Sequence, residues 1–144
     1  MIRYVEHTPT ADEFNYLTNS VGWGVRDNNI VEEALQNTLY SLCVYDDDKL
    51  IGYGRLVGDM TIFIYVQDII VIPEYQSKKI GTGIMNNIVN KINDYKKINP
   101  LLRAYVGADK GKDGFYRKFG FITREEASLG AGMILFGGNK DEEE

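Results

Sequence analysis

The stretch from residue 61 to residue 96 constrains this chain most. Residues 61–72 form its longest run of β-formers, rich in Ile, Val, Phe and Tyr. Pro73 ends the run, because proline cannot donate to a strand ladder. Beyond a turn holding Gly81 and Gly83, Ile80, Ile84, Ile88 and Ile92 recur at every fourth residue, with Met85 and Val89 beside them. That is one apolar stripe on an otherwise polar helix, which Asn99 and Pro100 stop. Residues 101–106 then read as another strand. A strand that feeds a long helix and returns as a strand predicts a right-handed crossover.

The flanks supply the rest of the expected fold. Residues 2–6 read as a strand. Thr10 and Glu13 make a capping box before a helix striped with Phe14, Leu17 and Val21. The loop Gly22-Trp23-Gly24 follows, and Asn28 or Asn29 is expected to cap a second helix with Val31, Ala34, Leu35 and Leu39 on one face. Residues 40–45 and 49–57 read as strands around an Asp46-Asp47-Asp48 turn. Gly52 and Gly54 in the second suggest a bulge or a close backbone approach. A short helix over 113–118, ended by Gly120, and strands at 121–123 and 133–136 complete the order β-α-α-β-β-β-α-β-α-β-β. The fold class is α/β, with a mixed sheet.

Composition limits what such a chain does. With 144 residues, 44% of them hydrophobic and 26% charged, it fits one globular domain over 1–138. The acidic end, 139–144, is expected to be a disordered tail. A net charge of -5 disfavours nucleic acid as a partner and favours a cation such as an amine. No signal-peptide pattern or membrane-length apolar run is present, and the lone Cys43 allows no internal disulfide, which together suggest the cytoplasm. Cys43, inside Leu42-Cys43-Val44, reads as a buried small hydrophobe. A single histidine, His7, excludes a zinc site built from several histidines, and no metal is expected.

The turn between the long strand and the long helix carries the chemistry. Glycines there bare backbone N–H groups where the helix dipole is positive, which suits a phosphate. Lys78 and Lys79 add charge, or are plain surface lysines. Neither G-x-G-x-x-G nor the P-loop pattern is matched.

The segment from Gln76 to Gly83 resembles motif A of the GNAT superfamily of N-acetyltransferases, Arg/Gln-x-x-Gly-x-Gly/Ala. Gln76 fills the first position and Gly81 the last; Lys79 stands where the pattern has its first glycine, and a lysine disfavours positive φ. Downstream, Gly114-Phe115-Tyr116 and Gly120-Phe121 resemble the family's fourth helix and the turn after it. The resemblance implies a largely antiparallel sheet with one splayed parallel strand pair, which binds acetyl-CoA as cosubstrate. Backbone groups near Ile70, Val71 and Ile72 would hold the pantetheine arm and acetyl carbonyl. Amides of Ser77, Lys78, Lys79, Ile80, Gly81, Thr82 and Gly83, with Gln76 at the entry, would hold the pyrophosphate.

The resemblance also implies direct attack of an amine on the thioester. Tyr116 matches the tyrosine that protonates the leaving thiolate, or else is a core aromatic among Phe115, Phe119 and Phe121. An ammonium with a pKa of about 10.4 must first lose a proton. Asp68 is the candidate base, because it interrupts the alternation Ile62, Ile64, Val66, Ile70, Ile72; its alternative is an ion pair with Arg55. Tyr65, Glu74 and Asp109 are lesser candidates. Trp23 is either a substrate wall or a packing plug, and Asp27, Glu32 and Glu33 could attract a cation or lie on an exposed face. A homodimer through the late apolar stretch 130–136 fits the family. The competing function is a non-catalytic acyl-CoA-binding or sensory module, towards which Lys79 leans.

Overall fold

In the computed structural model residues 1–138 are described, and the expected acidic tail lies outside them. The chain divides into two compact units, Met1–Asp109 and a second that begins at Lys110. Among the described residues no helix is long and apolar enough to cross a membrane.

The first unit is a five-stranded sheet in the order β1-β2-β3-β4-β5. Strands β1 (Ile2–Glu6), β2 (Tyr40–Asp46), β3 (Lys49–Gly58) and β4 (Phe63–Val71) pair antiparallel, while β4 and β5 (Arg103–Val106) pair parallel. The parallel pair is joined through α3 (Ile80–Lys96), the crossover that parallel strands require. The expected mixed sheet flanked by helices is therefore present.

Each face of the sheet has its own cover. A Cβ placed on Gly52 or Gly54 of β3 would meet Ile84, and on Gly54 also Ile88, so these glycines face α3. Their neighbours Tyr53 and Arg55 point the other way, to Phe14 of α1 (Ala11–Ser20). The α3 stripe is buried as the spacing requires: Ile80, Ile84, Met85, Ile88 and Ile92. Each such side chain contributes about 1.5–3 kcal/mol by leaving water.

Helix α1 has the expected capping box, with the Thr10 Oγ1 accepting from Glu13 N and the Glu13 Oε1 from Thr10 N. The cap of α2 (Asn28–Gln36) differs from expectation. Asp27, not Asn28 or Asn29, accepts from Asn29 N at 2.8 Å. Asn28 instead donates to Asp12 and accepts from Asn15, tying α2 to α1. Leu39 lies beyond the helix and is exposed.

The second unit contains α4 (Asp113–Arg117), followed by Gly120 at φ 94°. Phe115 stacks edge-on against Tyr116 and Phe119, and Tyr116 against Phe121. The strands expected at 121–123 and 133–136 are absent among the described residues. Thr123 turns the chain instead: its N and Oγ1 bond Glu126 Oε1, and Glu126 N bonds back to Thr123 Oγ1. Residues 133–136 keep a strand's composition but form no ladder, and extended chain without a partner is not a strand.

Candidate active site

The register between β3 and β4 explains Asp68. Leu56 lies opposite Val66, and Tyr53 lies opposite Ile70. Leu56 and Tyr53 are three apart on β3 and so face opposite sides; their partners do too. Val66 and Ile70 are four apart, and an unbroken strand would have put them on one side. Asp68 is the extra residue of a bulge, at φ 55°. The apparent alternation from Ile62 to Ile72 is thus two half-alternations on opposite faces, and Asp68 marks the switch. Its carboxylate accepts from Arg55 Nε at 2.7 Å, with both side chains largely buried at 18% and 15% exposure. This is the ion pair that the sequence offered as the alternative to a base.

The parallel ladder runs only from Phe63↔Arg103 to Val66↔Val106. Strand β4 continues to Val71 with β3 alone. From the bulge onward, β4 has no pairing with β5 among the described residues. Of Ile70, Val71 and Ile72, the Ile72 N–H is committed to Ile51 O at 2.9 Å. Alternation then turns the Val71 N–H away from β3, towards the edge that β5 no longer pairs. The Val71 carbonyl accepts from Gln76 Nε2 at 2.9 Å. Gln76 therefore ties the turn back to the end of β4.

A 3-10 turn, Pro73–Tyr75, leads into the cradle. Ser77 and Lys79 both sit at φ 64°, in the left-handed region. The angle that the sequence made doubtful at Lys79 is the one a glycine would take. Two such non-glycine residues each cost roughly 1–2 kcal/mol. Lys79 is also the N-cap of α3 and supplies no side-chain cap. The first N–H groups of α3, at Ile80, Gly81 and Thr82, precede any helical carbonyl that could satisfy them. Gly83 is required by packing, since a Cβ there would overlap the Tyr4 hydroxyl on β1.

Sequence reasoning missed Tyr75. Its hydroxyl donates to Asp46 Oδ2 at 2.6 Å, which raises the phenol's pKa and lowers the carboxyl's. The Lys49 and Lys78 ammonium groups lie 5.7 and 5.2 Å from its ring centroid. Tyr75 thus fixes the cradle to the β2–β3 turn and positions Lys78. Nothing local in the sequence signalled a contact across 29 residues.

A family model described as an acetyltransferase (GNAT) domain matches residues 22–137. The chain belongs to the GNAT family. A relative from Prochlorococcus marinus, an uncharacterized ycf52-like N-acetyltransferase, is 31% identical over 120 residues, covering 81% of this chain and 64% of its own length. The chain thus spans a little under two thirds of that relative. A Staphylococcus aureus crystal structure, described as a probable acetyltransferase, is similar at TM-score 0.85 and 29% identity, covering 95% of this chain and all of that one. A more distant GNAT structure, from Elizabethkingia anophelis, was solved with acetyl-CoA bound; at 15% identity, with 85% and 76% of the two chains covered and a TM-score of 0.63, it shares the fold.

The remaining sequence candidates are placed as follows. Trp23 is 42% exposed, on a loop hydrogen-bonded to α1. Trp23 N donates to Thr18 O, Thr18 Oγ1 to Gly24 O, and Asn15 bonds both the N–H and the C=O of Arg26. Thr18 and Asn15 are buried polar residues whose side chains bond this loop, and Asn15 also bonds Asn28. Glu32 and Glu33 are exposed on α2, and Asp27 is its cap. Glu74 pairs loosely with Lys49 at 3.7 Å. The Tyr65 hydroxyl lies against Gly107. Tyr116 lies in the second unit, within its aromatic cluster. Burial raises the Cys43 thiol pKa to about 12, so it is no nucleophile at neutral pH. Among the described residues no three His, Cys, Asp or Glu side chains converge as a metal site.

Proposed function

We propose that this chain transfers the acetyl group of acetyl-CoA to a primary amine. The observation that carries the reading is the pairing of two features on one strand: β4 outlasts its parallel ladder to β5, then enters a left-handed turn and an uncapped helix N-terminus. An extended thioester arm fits the first and a pyrophosphate the second. Acetyl-CoA supplies the activated acyl group. The Val71 N–H offers a donor to the arm, with Ile70 and Ile72 beside it. The amides from Ser77 to Gly83, and the Thr82 hydroxyl, take the diphosphate, with Lys78 and Lys79 at its edge.

In the reaction the amine nitrogen forms a bond to the acetyl carbon, the C–S bond breaks, and the nitrogen gives up one proton. Tyr116 is the proposed acid, donating its phenolic proton to the departing sulfur; its assignment rests on the α4 motif. Asp68 is opposed in two roles, as acceptor of the amine's proton and as anchor for Arg55. The 2.7 Å ion pair supports the anchor. An Asp68→Asn variant with an altered pH–rate profile would establish the base. Trp23 is the proposed acceptor wall, and a small or peptide amine the acceptor. A metal-free reaction, a cytoplasmic setting and a homodimer complete the reading, the last to be checked by sedimentation.

The test is acetyl-CoA consumption against polyamines, arylalkylamines, amino sugars, aminoglycosides and peptide amines. Transfer to one class, with Tyr116→Phe lowering turnover and leaving CoA affinity unchanged, is expected. Stabilisation by CoA without transfer to any amine would favour the non-catalytic module. The feature that leaned towards that module was Lys79, and its left-handed angle leaves the backbone path a glycine would give.

A further inference from the structure

The Arg55 guanidinium joins two elements at the place where the sheet opens. Its Nε donates to Asp68 Oδ2 at 2.7 Å, and its Nη1 donates to Thr38 Oγ1 at 2.9 Å. Thr38 Oγ1 in turn donates to Ala34 O in the last turn of α2, at 2.9 Å. The Phe14 ring of α1 lies 5.9 Å from the guanidinium carbon. One side chain on β3 therefore holds the β4 bulge, the end of α2 and a ring of α1. Asp68 comes two residues after Val66, where the parallel ladder to β5 ends. It also holds a left-handed angle that a non-glycine residue keeps only when its surroundings impose it. The guanidinium is the charged partner that its side chain meets there.

We propose that Arg55 is a positioning residue for acetyl transfer. It holds the Asp68 bulge, and so directs Ile69 to Ile72 along the open edge of β4. Through Thr38 it locks that course to the α1–α2 pair that carries Trp23. A planar fork bonds two acceptors at fixed angles, which a lysine ammonium does not reproduce. The inference rests on the acetyltransferase reading for its kinetic test, but not for its structural one.

Four variants test it: Arg55→Met, Arg55→Lys, Asp68→Asn, and Arg55→Met with Asp68→Asn. Arg55→Met alone leaves a shielded carboxylate unpaired and is expected to lose stability as well as turnover. The double variant has no such charge, and its Tm is expected to recover most of the loss. Its turnover is expected to stay at least about tenfold below that of Asp68→Asn, because small misplacements of bound groups cost rate steeply. Its affinity for CoA, read by calorimetry, should remain within about threefold, since the pyrophosphate cradle is untouched. Arg55→Lys should be impaired like Arg55→Met. Amide exchange in residues 67–72 should quicken in every Arg55 variant and stay unchanged in Asp68→Asn, whose amide oxygen still accepts from Nε. A double variant with the turnover of Asp68→Asn, an Arg55→Lys variant with wild-type turnover, or unchanged exchange at 67–72 would each overturn the proposal. If the wild-type chain transfers no acetyl group, the functional reading fails alone, and exchange at 67–72 still decides whether Arg55 holds the bulge.

Discussion

Gly54→Ala tests whether the bulge is built by packing as well as by charge. Gly54 sits on β3 where the register jumps from Tyr53↔Ile70 to Arg55↔Gln67. An alanine Cβ there would lie 2.8 Å from Ile69 Cδ1, 2.9 Å from Ile88 Cδ1 and 3.0 Å from Ile84 Cγ2. Ordinary carbon contacts are about 3.5–4.0 Å, so three methyl groups must each retreat by roughly half an ångström or more. Overpacking of this kind costs about 1–3 kcal/mol. Alanine returns roughly 0.5–1 kcal/mol by restricting the unfolded chain. The net loss is about 0–2.5 kcal/mol, centred on about 1 kcal/mol, which is a fall in Tm of roughly 3–4 °C for a chain of this size. Urea denaturation followed by Trp23 fluorescence and far-UV circular dichroism would measure it. The decisive comparison is a cycle with Ile69→Val, which deletes the nearest methyl. Alone that change costs about 0.5–1.5 kcal/mol. In the Gly54→Ala background it should cost less or stabilise, with a coupling of at least about 0.5 kcal/mol. Strictly additive losses would refute the reasoning, because they would mean that Ile69 does not occupy the space Gly54 leaves.

Three further outcomes follow from the same structure. Gly83→Ala should destabilise by about 1–3 kcal/mol, less roughly 1 kcal/mol of helix propensity, and become neutral or stabilising with Tyr4→Ala; denaturation of the four proteins checks this. Asp59 accepts the N–H groups of Thr61, Ile62 and Phe63, which hold its carboxyl below its ordinary value of 3.8. A carboxyl depressed in the folded state stabilises above its unfolded pKa and loses that as pH falls through the folded one; the Tm gap between wild type and Asp59→Ala should therefore be full at pH 7 and shrink below 3.8. Cys43, buried and with its thiol pushed up to about 12, should resist a disulfide reagent at pH 8 in the native protein and react at once in urea; fast native labelling would contradict its inert placement.

Much of the fold was legible because it rests on local rules. The Ile80–Ile92 stripe, the Thr10–Glu13 box and the stop at Pro73 each involve residues within a few turns of one another. The second-helix cap was misplaced by one residue, since Asp27, Asn28 and Asn29 all suit the position and only the contacts of Asn28 with Asp12 and Asn15 separate them. The late strands were misread because apolar β-formers state a preference and a ladder needs a partner.

The candidate site divides along the same line. Composition and spacing determined that a strand, a glycine-bearing turn and a long helix follow one another, and that the turn lies between Pro73 and Ile80. Those are properties of neighbours, and the chain carries them wherever it goes. Only the tertiary structure decided where Asp68 sits. A period-two pattern shows which residues alternate but not where a strand slips by one, and that slip is set by pairing with β3. It moved Asp68 from an interrupted buried face to the hinge between two faces and joined it to Arg55, and through Arg55 to Thr38, just ahead of the turn that leads into α3.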